Sequence, residues 1–473
     1  MSKDPYHQDR EELKVLINQF ENLKAGKSPS FIEEESFERL IDHYDEKEQL
    51  SQALEVADYG IRQYPYSATL LLKKADLLIS LRHYTEALII LDQAELLDSR
   101  STMLYILKTD AFLALDQQEK AASILEAALH SFEGDEKVDL LFELADVYDD
   151  YEDFNKVFDC LKMVLEIDPT NEEALYKICF WTDYTHRNEE GIRLHEKIIE
   201  EHPFSELAWF NLAAAYQGIR LYEKAIDAYH YAVAIDEKFD YAWRNMGDAY
   251  IRLRKYKDAI EVLEKVLELS RPEDVIYEAI GHCYDKLANY AQARFNYRKA
   301  SHLKQEDSHL FYKVACTYMN EGNWDSAIKN LEIAMRIQRM QPEFNLAMGQ
   351  CYMELNKLEE AISYFGNVVR IRPRNINGWR ELLNCLFKGE FYEEALEYVT
   401  SAYEQTDGKP VFLFYKSAIL YALGRSKEAA LYLQQGMEQN PRLLKKFITL
   451  NPAILQNQQV VDIIAAFKRR KSI

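Results

Sequence analysis

Small and apolar residues recur along most of the chain with a period of 34 residues. Ala53, Ala87 and Ala121 begin the series, which shifts by two residues and resumes at Val157 and Gly191. The remaining members are Ala225, Ala259, Ala293, Ala327, Ala361, Ala395 and Ala429. A fixed period of this length indicates an array of similar structural units rather than a set of separate globular domains.

Each repeat is predicted to contain two amphipathic helices. When the recurring alanine is numbered position 20, apolar residues fill positions 4, 7, 8 and 11 and positions 20, 24 and 27. This spacing places them on one face of each helix. Helices of about 13 residues are too short to be stable alone, so neighbouring pairs must stack on one another. Prolines at position 32, such as Pro65 and Pro203, end the second helix.

The pattern resembles the tetratricopeptide repeat. One repeat carries almost the whole motif, in the residues Trp243, Met246, Gly247, Tyr250, Ala259, Leu263 and Val266. The resemblance implies an all-α fold, namely an α-solenoid of about twelve helix-turn-helix units that form a right-handed superhelix. It is typical of a long array of the bacterial type.

The register predicts three parts. Residues 1–33 form an N-terminal capping helix, residues 34–443 form twelve tandem units, and residues 444–473 form C-terminal capping helices and a basic tail. The units start at residues 34, 68, 102, 138, 172, 206, 240, 274, 308, 342, 376 and 410. The fifth unit departs from the pattern at Thr182, Gly191 and His195. Whether it acts as a hinge stays open.

Composition favours a cytoplasmic protein that does not bind nucleic acid directly. The net charge is −22 and no apolar run reaches the length of a membrane span. Residues 1–205 hold 21 basic and 45 acidic side chains, whereas residues 206–473 hold 36 and 34. The phosphate-loop, dinucleotide, zinc-protease and hydrolase motifs do not occur. The sequence therefore predicts no enzyme activity, no catalytic residue, no metal site and no cofactor.

The resemblance implies that positions 2, 5, 9, 12 and 13 face a concave groove. In the N-terminal half these positions are strongly acidic, and the candidate partner-binding residues are Asp42, Asp76, Asp110, Asp146, Asp149 and Asp183. Stacked carboxylates repel one another, and a cationic segment would relieve that repulsion. We expect basic segments of partner proteins here, with an acidic surface that only maintains solubility as the alternative.

The C-terminal half has a different groove. Its candidate partner-binding residues are Tyr312, Met353, Arg380, Asn384 and Phe387. An apolar groove with a few polar groups accepts an extended peptide or a helix. The alternative is that these side chains only pack against neighbouring units.

The expected function is a non-enzymatic scaffold for protein–protein interaction, which docks peptides or helices of other proteins. Two alternatives remain. The chain forms a homo-oligomer, or it is a regulatory subunit of a larger enzyme or nucleic-acid complex.

Overall fold

A computed structural model describes residues 5–27, 31–450 and 452–471 of the chain. In these ranges the backbone forms α-helices, two short 3₁₀ segments and turns, and it contains no β-strand. The helices fall into two compact units, residues 1–245 and residues 246–473. The predicted all-α helical repeat solenoid is confirmed.

Helices of the first unit follow one another in antiparallel pairs after a single leading helix. They are α1 (Pro5–Lys24), α2 (Glu34–Asp45), α3 (Leu50–Gln63), α4 (Ala68–Ser80), α5 (Tyr84–Leu97), α6 (Thr102–Ala114), α7 (Gln118–Ala128), α8 (Gly134–Asp150), α9 (Phe154–Ile167), α10 (Glu172–Tyr184), α11 (Asn188–Glu201), α12 (Glu206–Gly218) and α13 (Tyr222–Ile235). The next helix, α14 (Asp240–Arg252), starts in this unit and ends in the second.

The second unit continues the pairing and ends in an irregular segment. Its helices are α15 (Tyr256–Leu269), α16 (Asp274–Lys286), α17 (Tyr290–Leu303), α18 (Ser308–Asn320), α19 (Trp324–Ile337), α20 (Pro342–Glu354), α21 (Leu358–Ile371), α22 (Ile376–Lys388), α23 (Tyr392–Gln405), α24 (Val411–Ala422), α25 (Ser426–Gln439), α26 (Leu444–Leu450) and α27 (Gln458–Lys471). Two 3₁₀ segments, Pro441–Leu443 and Pro452–Gln456, flank α26.

The two helices of a pair are joined by one recurring turn. Its residue at position 15 has a left-handed backbone, as in Arg82 (φ 62°) and Ala288 (φ 57°). The following N–H donates to the carbonyl at position 11, for example from His83 to Leu78 at 2.8 Å. This is the Schellman arrangement that closes a helix C-terminus. The left-handed residues are Glu48, Arg82, Asp116, Glu152, His186, Arg220, Arg254, Ala288, Gly322, Asn356, Glu390 and Gly424.

Paired helices approach closely where position 8 meets the second helix. Ala75 and Ala87 are both fully buried in the second pair. Where position 8 is glycine, a large side chain occupies the freed space. A Cβ added to Gly349 would lie 2.5 Å from Phe365 Cε1, and one added to Gly281 would lie 2.8 Å from the Tyr297 ring. The small residue at position 8 is therefore a steric requirement.

Segments outside the helix pairs contribute buried side chains at the start of the first compact unit and at the end of the second. Phe20 of α1 is buried, with its ring 6.5 Å from Phe37 and 5.5 Å from Tyr59. At the other end, Phe447 of α26 is buried with its ring 5.9 Å from Phe414. Residues 468–471, which we predicted to be a tail, continue the helical backbone of α27.

Two local features differ from the predicted register. Helix α8 begins at Gly134 rather than at residue 138, so it has 17 residues where the other first helices have 12 or 13. The last pair begins at Val411 rather than at residue 410. Phe132 is buried ahead of α8, with its ring 5.7 Å from Tyr105.

The fifth pair, α10 and α11, has an unusual interior. His195 is fully buried with neither ring nitrogen hydrogen-bonded. Burial lowers the pKa of His195 to about 3, so the imidazole is neutral at pH 7. A Cβ added to Gly191 would lie 2.7 Å from Thr182 Cγ2. The glycine at position 20 thus leaves room for the threonine at position 11, so these two departures from the repeat pattern compensate each other sterically.

Gly349→Ala is expected to destabilise the chain by about 1–3 kcal/mol, because the new methyl group must displace the fully buried Phe365 ring. Gly366→Ala, on the facing helix of the same pair, has no atom within 4 Å of the added Cβ. It should stabilise the chain by about 0.5–1 kcal/mol through the higher helix propensity of alanine. Urea unfolding of both variants measures the contrast, and equal effects would refute the steric interpretation.

Candidate partner-binding surfaces

First helices of the N-terminal pairs lie side by side and present acidic residues to solvent. Helix α2 packs beside α4, α4 beside α6, and α6 beside α8. We define the acidic row as the exposed or half-exposed carboxylates at repeat positions 6, 9, 12 and 13 of these helices and α10. They are Asp42, Asp45, Asp76, Asp110, Glu143, Asp146, Asp149, Asp150 and Asp183. All six aspartates predicted for the N-terminal groove are exposed and belong to this set.

Electrostatic interactions connect members of the acidic row across helices. The pKa of Asp76 is raised, first by loss of solvation and then by the charges of Asp45 and Asp110. The pKa of Asp146 is also raised by loss of solvation, and Asp149 and Asp150 add to the effect. A raised carboxyl pKa means that the charged form is disfavoured. Neighbouring carboxylates of the row therefore add to the cost of charging one another.

Glu143 on α8 is a member of the row that the sequence analysis missed. It is half-buried, and loss of solvation together with the charges of Asp110 and Asp146 raises its pKa to about 7. Glu143 occupies position 6, which the groove positions of the family do not include. A signal was present, because position 6 lies three residues before position 9 on the same helix face.

Two lysines, also at position 6, reduce the negative charge at separate points. Lys73 Nζ donates to a carboxylate oxygen of Asp42. Lys177 Nζ lies 2.8 Å from Glu173 Oε1 and 3.9 Å from Asp146 Oδ1, which connects α10 to α8. These lysines leave the middle of the row, around Asp110 and Glu143, as its most crowded part.

The residues predicted for the C-terminal groove divide into two groups. Tyr312 is half-buried with its ring 5.2 Å from Phe344, and Met353 packs against the core around Leu382. These side chains contribute to packing between repeats, which was the alternative interpretation. Arg380, Asn384 and Phe387 instead line an open cavity of about 670 Å³.

This cavity is rich in cationic and hydrogen-bonding groups, and we call it the basic hollow. Its lining residues are Arg380, Asn384, Phe387, Lys388, Tyr415, Lys445 and Thr449. The Tyr415 hydroxyl donates to Asn384 Oδ1 at 2.7 Å. Sequence reasoning missed Lys388, Tyr415 and Lys445 as a group. Lys445 lies on α26, beyond the repeats, so periodicity carried no information about it.

Other chemistry is limited within the described ranges. No three histidine, cysteine or carboxylate side chains lie together in a way that would hold a metal ion. None of the helices described is both long enough and apolar enough to cross a bilayer. The six cysteines are unpaired and at least half-buried, and burial raises the pKa of Cys160 to about 12.

Family comparisons agree with the repeat pattern. The family described as tetratricopeptide repeat protein 21 C-terminal ARM domain matches residues 207–347, and the tetratricopeptide repeat itself matches residues 342–375. The chain therefore contains tetratricopeptide-type repeats over residues 207–375. No protein with a curated description matches it significantly in sequence.

Solved structures of tetratricopeptide proteins are similar to this one over shorter or longer stretches. YrrB, described as a TPR protein with an unusual peptide-binding site, is 20% identical, with a TM-score of 0.35, 39% of this chain covered and 96% of that one. The C-terminal part of a TPR repeat-containing protein from Cytophaga hutchinsonii is 18% identical, with a TM-score of 0.44 and coverages of 54% and 98%. A chain of the APC/C hetero-tetramer Cut9–Hcn1 is 14% identical, with a TM-score of 0.35. The match covers 87% of this chain and 94% of that one.

The raised pKa of Glu143 makes the stability of the protein depend on pH. Between the ordinary carboxyl value and about 7, the folded chain keeps this proton and the unfolded chain loses it. Stability contributed by this site therefore falls as the pH rises through that window. Glu143→Gln should be more stable than the wild type at about pH 8, by about 1–2 kcal/mol after allowance for partial exposure, with a smaller difference at about pH 5.

Thermal unfolding at the two pH values measures this difference. Asp139→Asn removes an exposed carboxylate from the same helix and serves as the control. If Glu143→Gln and Asp139→Asn respond equally to pH, crowding of Glu143 is not the cause.

Proposed function

We propose that this protein is a non-enzymatic scaffold whose acidic row binds basic segments of partner proteins. The observation that carries the proposal is the concentration of carboxylates along the row on adjacent helices. Loss of solvation raises the pKa of Asp76, Asp110, Glu143 and Asp146, and the charges of neighbouring carboxylates add to the effect at Asp76, Glu143 and Asp146. Lysine and arginine side chains laid along the row would stabilise the charged carboxylates. The family's general role in protein–protein interaction supports this proposal.

The fold gives no reason of its own for this arrangement. Like charges on adjacent helices weaken the packing of a solenoid. A surface that only maintains solubility does not need carboxylates concentrated where loss of solvation penalises them. Binding of a cationic segment offers a compensating gain.

We further propose that residues 1–33 and 444–473 cap the twelve units and that the basic hollow is a second docking surface. Arg380, Lys388 and Lys445 line the hollow, and no carboxylate lies among its lining residues. Arginine and lysine favour carboxylate or phosphate partners. The hollow would therefore accept a peptide or helix that brings an anionic group.

Asp76→Asn, Asp110→Asn and Asp146→Asn in one chain should weaken capture of a fluorescein-labelled lysine- and arginine-containing peptide by about tenfold or more. Each exposed pair contributes up to about 1 kcal/mol, and the three losses add. Fluorescence anisotropy at low ionic strength measures the affinity, because salt screens exposed charges.

The matched control removes the same number of charges from second helices that also lie within residues 1–245. Glu166→Gln, Glu200→Gln and Glu223→Gln are exposed positions on α9, α11 and α13. The control variant should bind within about twofold of the wild type if position rather than net charge matters. Equal weakening by both triple variants would reduce the acidic row to a general charge effect.

For the basic hollow, Arg380→Ala with Lys388→Ala should abolish most binding of a glutamate-rich peptide, because two of the three cations are removed. Isothermal titration of the wild type and the double variant tests this. The control is Lys427→Ala with Lys409→Ala. These two exposed lysines also lie within residues 246–473 but do not line the hollow. Binding that the hollow variant retains in full would contradict the assignment.

A further inference from the structure

Helix α10 exposes aromatic rings beside the acidic row. Tyr176, Phe180 and Tyr184 follow one another at intervals of four residues, and their exposed fractions are 68%, 60% and 53%. Residues at this spacing lie on one helix face. Together with Trp181 they form what we call the aromatic patch. Exposed aromatic surface of this kind is uncommon unless it meets a ligand.

The rings of the patch are held in place by one another. Phe180 and Tyr184 stack at a centroid distance of 5.7 Å and an interplanar angle of 25°. Trp181 stacks on Phe154 at 5.2 Å, and Phe154 also meets Tyr184 edge-on at 4.9 Å. The patch is thus supported from α9 and retains open ring surface on the solvent side.

Carboxylates of α10 and of the end of α8 lie next to this ring surface along the fold. Asp183 lies three residues after Phe180 and one before Tyr184, and it is exposed. Phe154 begins α9 four residues after α8 ends at Asp150, so its stacking on Trp181 brings the acidic end of α8 beside the patch. An incoming side chain would meet aromatic rings and negative charge together.

We propose that the aromatic patch selects arginine over lysine in the basic segment that the acidic row binds. This inference rests on the proposed function. A guanidinium is planar and weakly hydrated, so it stacks on an aromatic ring while its N–H groups reach a carboxylate in a bidentate way. A lysine ammonium is compact and strongly hydrated, and it provides neither planar stacking nor a forked donor set.

The ring surface and the charge distinguish this occupant from others. A purely apolar segment would leave Asp183 and the end of α8 without a counter-charge. A segment with lysines alone would satisfy the carboxylates but gain little from Phe180 and Tyr184. Arginine matches both kinds of group at once, and the partner is therefore a protein segment that places an arginine at α10.

Two short labelled peptides of equal length and charge test the proposal, one with arginines and one with lysines at the same places. The full-length wild type should bind the arginine peptide about threefold or more tightly in fluorescence anisotropy at low ionic strength. Phe180→Ala with Tyr184→Ala should remove this preference while the affinity for the lysine peptide stays nearly unchanged.

Two further variants separate ring chemistry from a loss of folding. Phe180→Tyr with Tyr184→Phe keeps both rings and should keep the preference. Tyr231 has an exposed ring within residues 1–245 that stacks on Trp209 at a centroid distance of 4.4 Å. Tyr231→Ala removes this ring and should also keep the preference. Circular dichroism melts confirm that all variants fold.

Each outcome decides between the two proposals. If neither peptide binds the wild type, the proposed function itself fails. If both peptides bind equally to the wild type, the acidic row still binds basic segments and arginine selection is wrong. If sedimentation shows an oligomer that the arginine peptide dissociates, a second copy of this chain occupies the aromatic patch and the proposed separate partner is wrong.

Discussion

The close approach of the two helices in each pair is the constraint on which the rest of the structure depends. It requires alanine or glycine where position 8 faces the second helix. The size of the facing side chain varies with the space that this residue leaves. Gly281 accepts Tyr297 and Gly349 accepts Phe365, whereas in the pair with Ala75 at position 8 the residue equivalent to those rings is the smaller Leu91, which is also fully buried. Because helices of this length are unstable alone, each pair depends on its neighbours for most of its stability.

Packing of this kind overrides local backbone preference at the turns. Ten of the twelve left-handed turn residues are not glycine, although a left-handed backbone costs a non-glycine residue about 1–2 kcal/mol. Arg82 and Ala288 adopt it because the two helices can meet at position 8 only if the chain reverses there. The Schellman hydrogen bond to position 11 offsets part of this cost.

Repetition also explains how the acidic row arises. A residue at position 9 of one unit lies beside position 9 of the next, so a sequence that repeats aspartate there brings like charges together. Asp76 and Asp110 are 34 residues apart in sequence yet close enough for one charge to raise the pKa of the other. Glu143 lies three residues before Asp146 on α8, and the charges of both Asp110 and Asp146 act on it. Lys73 and Lys177 occupy the same repeat position as Glu143 on other helices.

The sequence by itself determined the period, the helix pairs and the exposed aspartates, because spacing along a helix decides which residues share a face. It also indicated where the fifth pair departs from the pattern. Only the tertiary structure decided that Tyr312 and Met353 pack between repeats, and that Lys445 joins Arg380 in the basic hollow. Lys445 lies on α26, outside the repeats, so no period places it. The packing of Tyr312 and Met353 depends on the particular side chains that the adjacent repeats supply. The charge state of Glu143 was likewise set by the solvation and neighbours that the folded chain provides, which no local pattern contains.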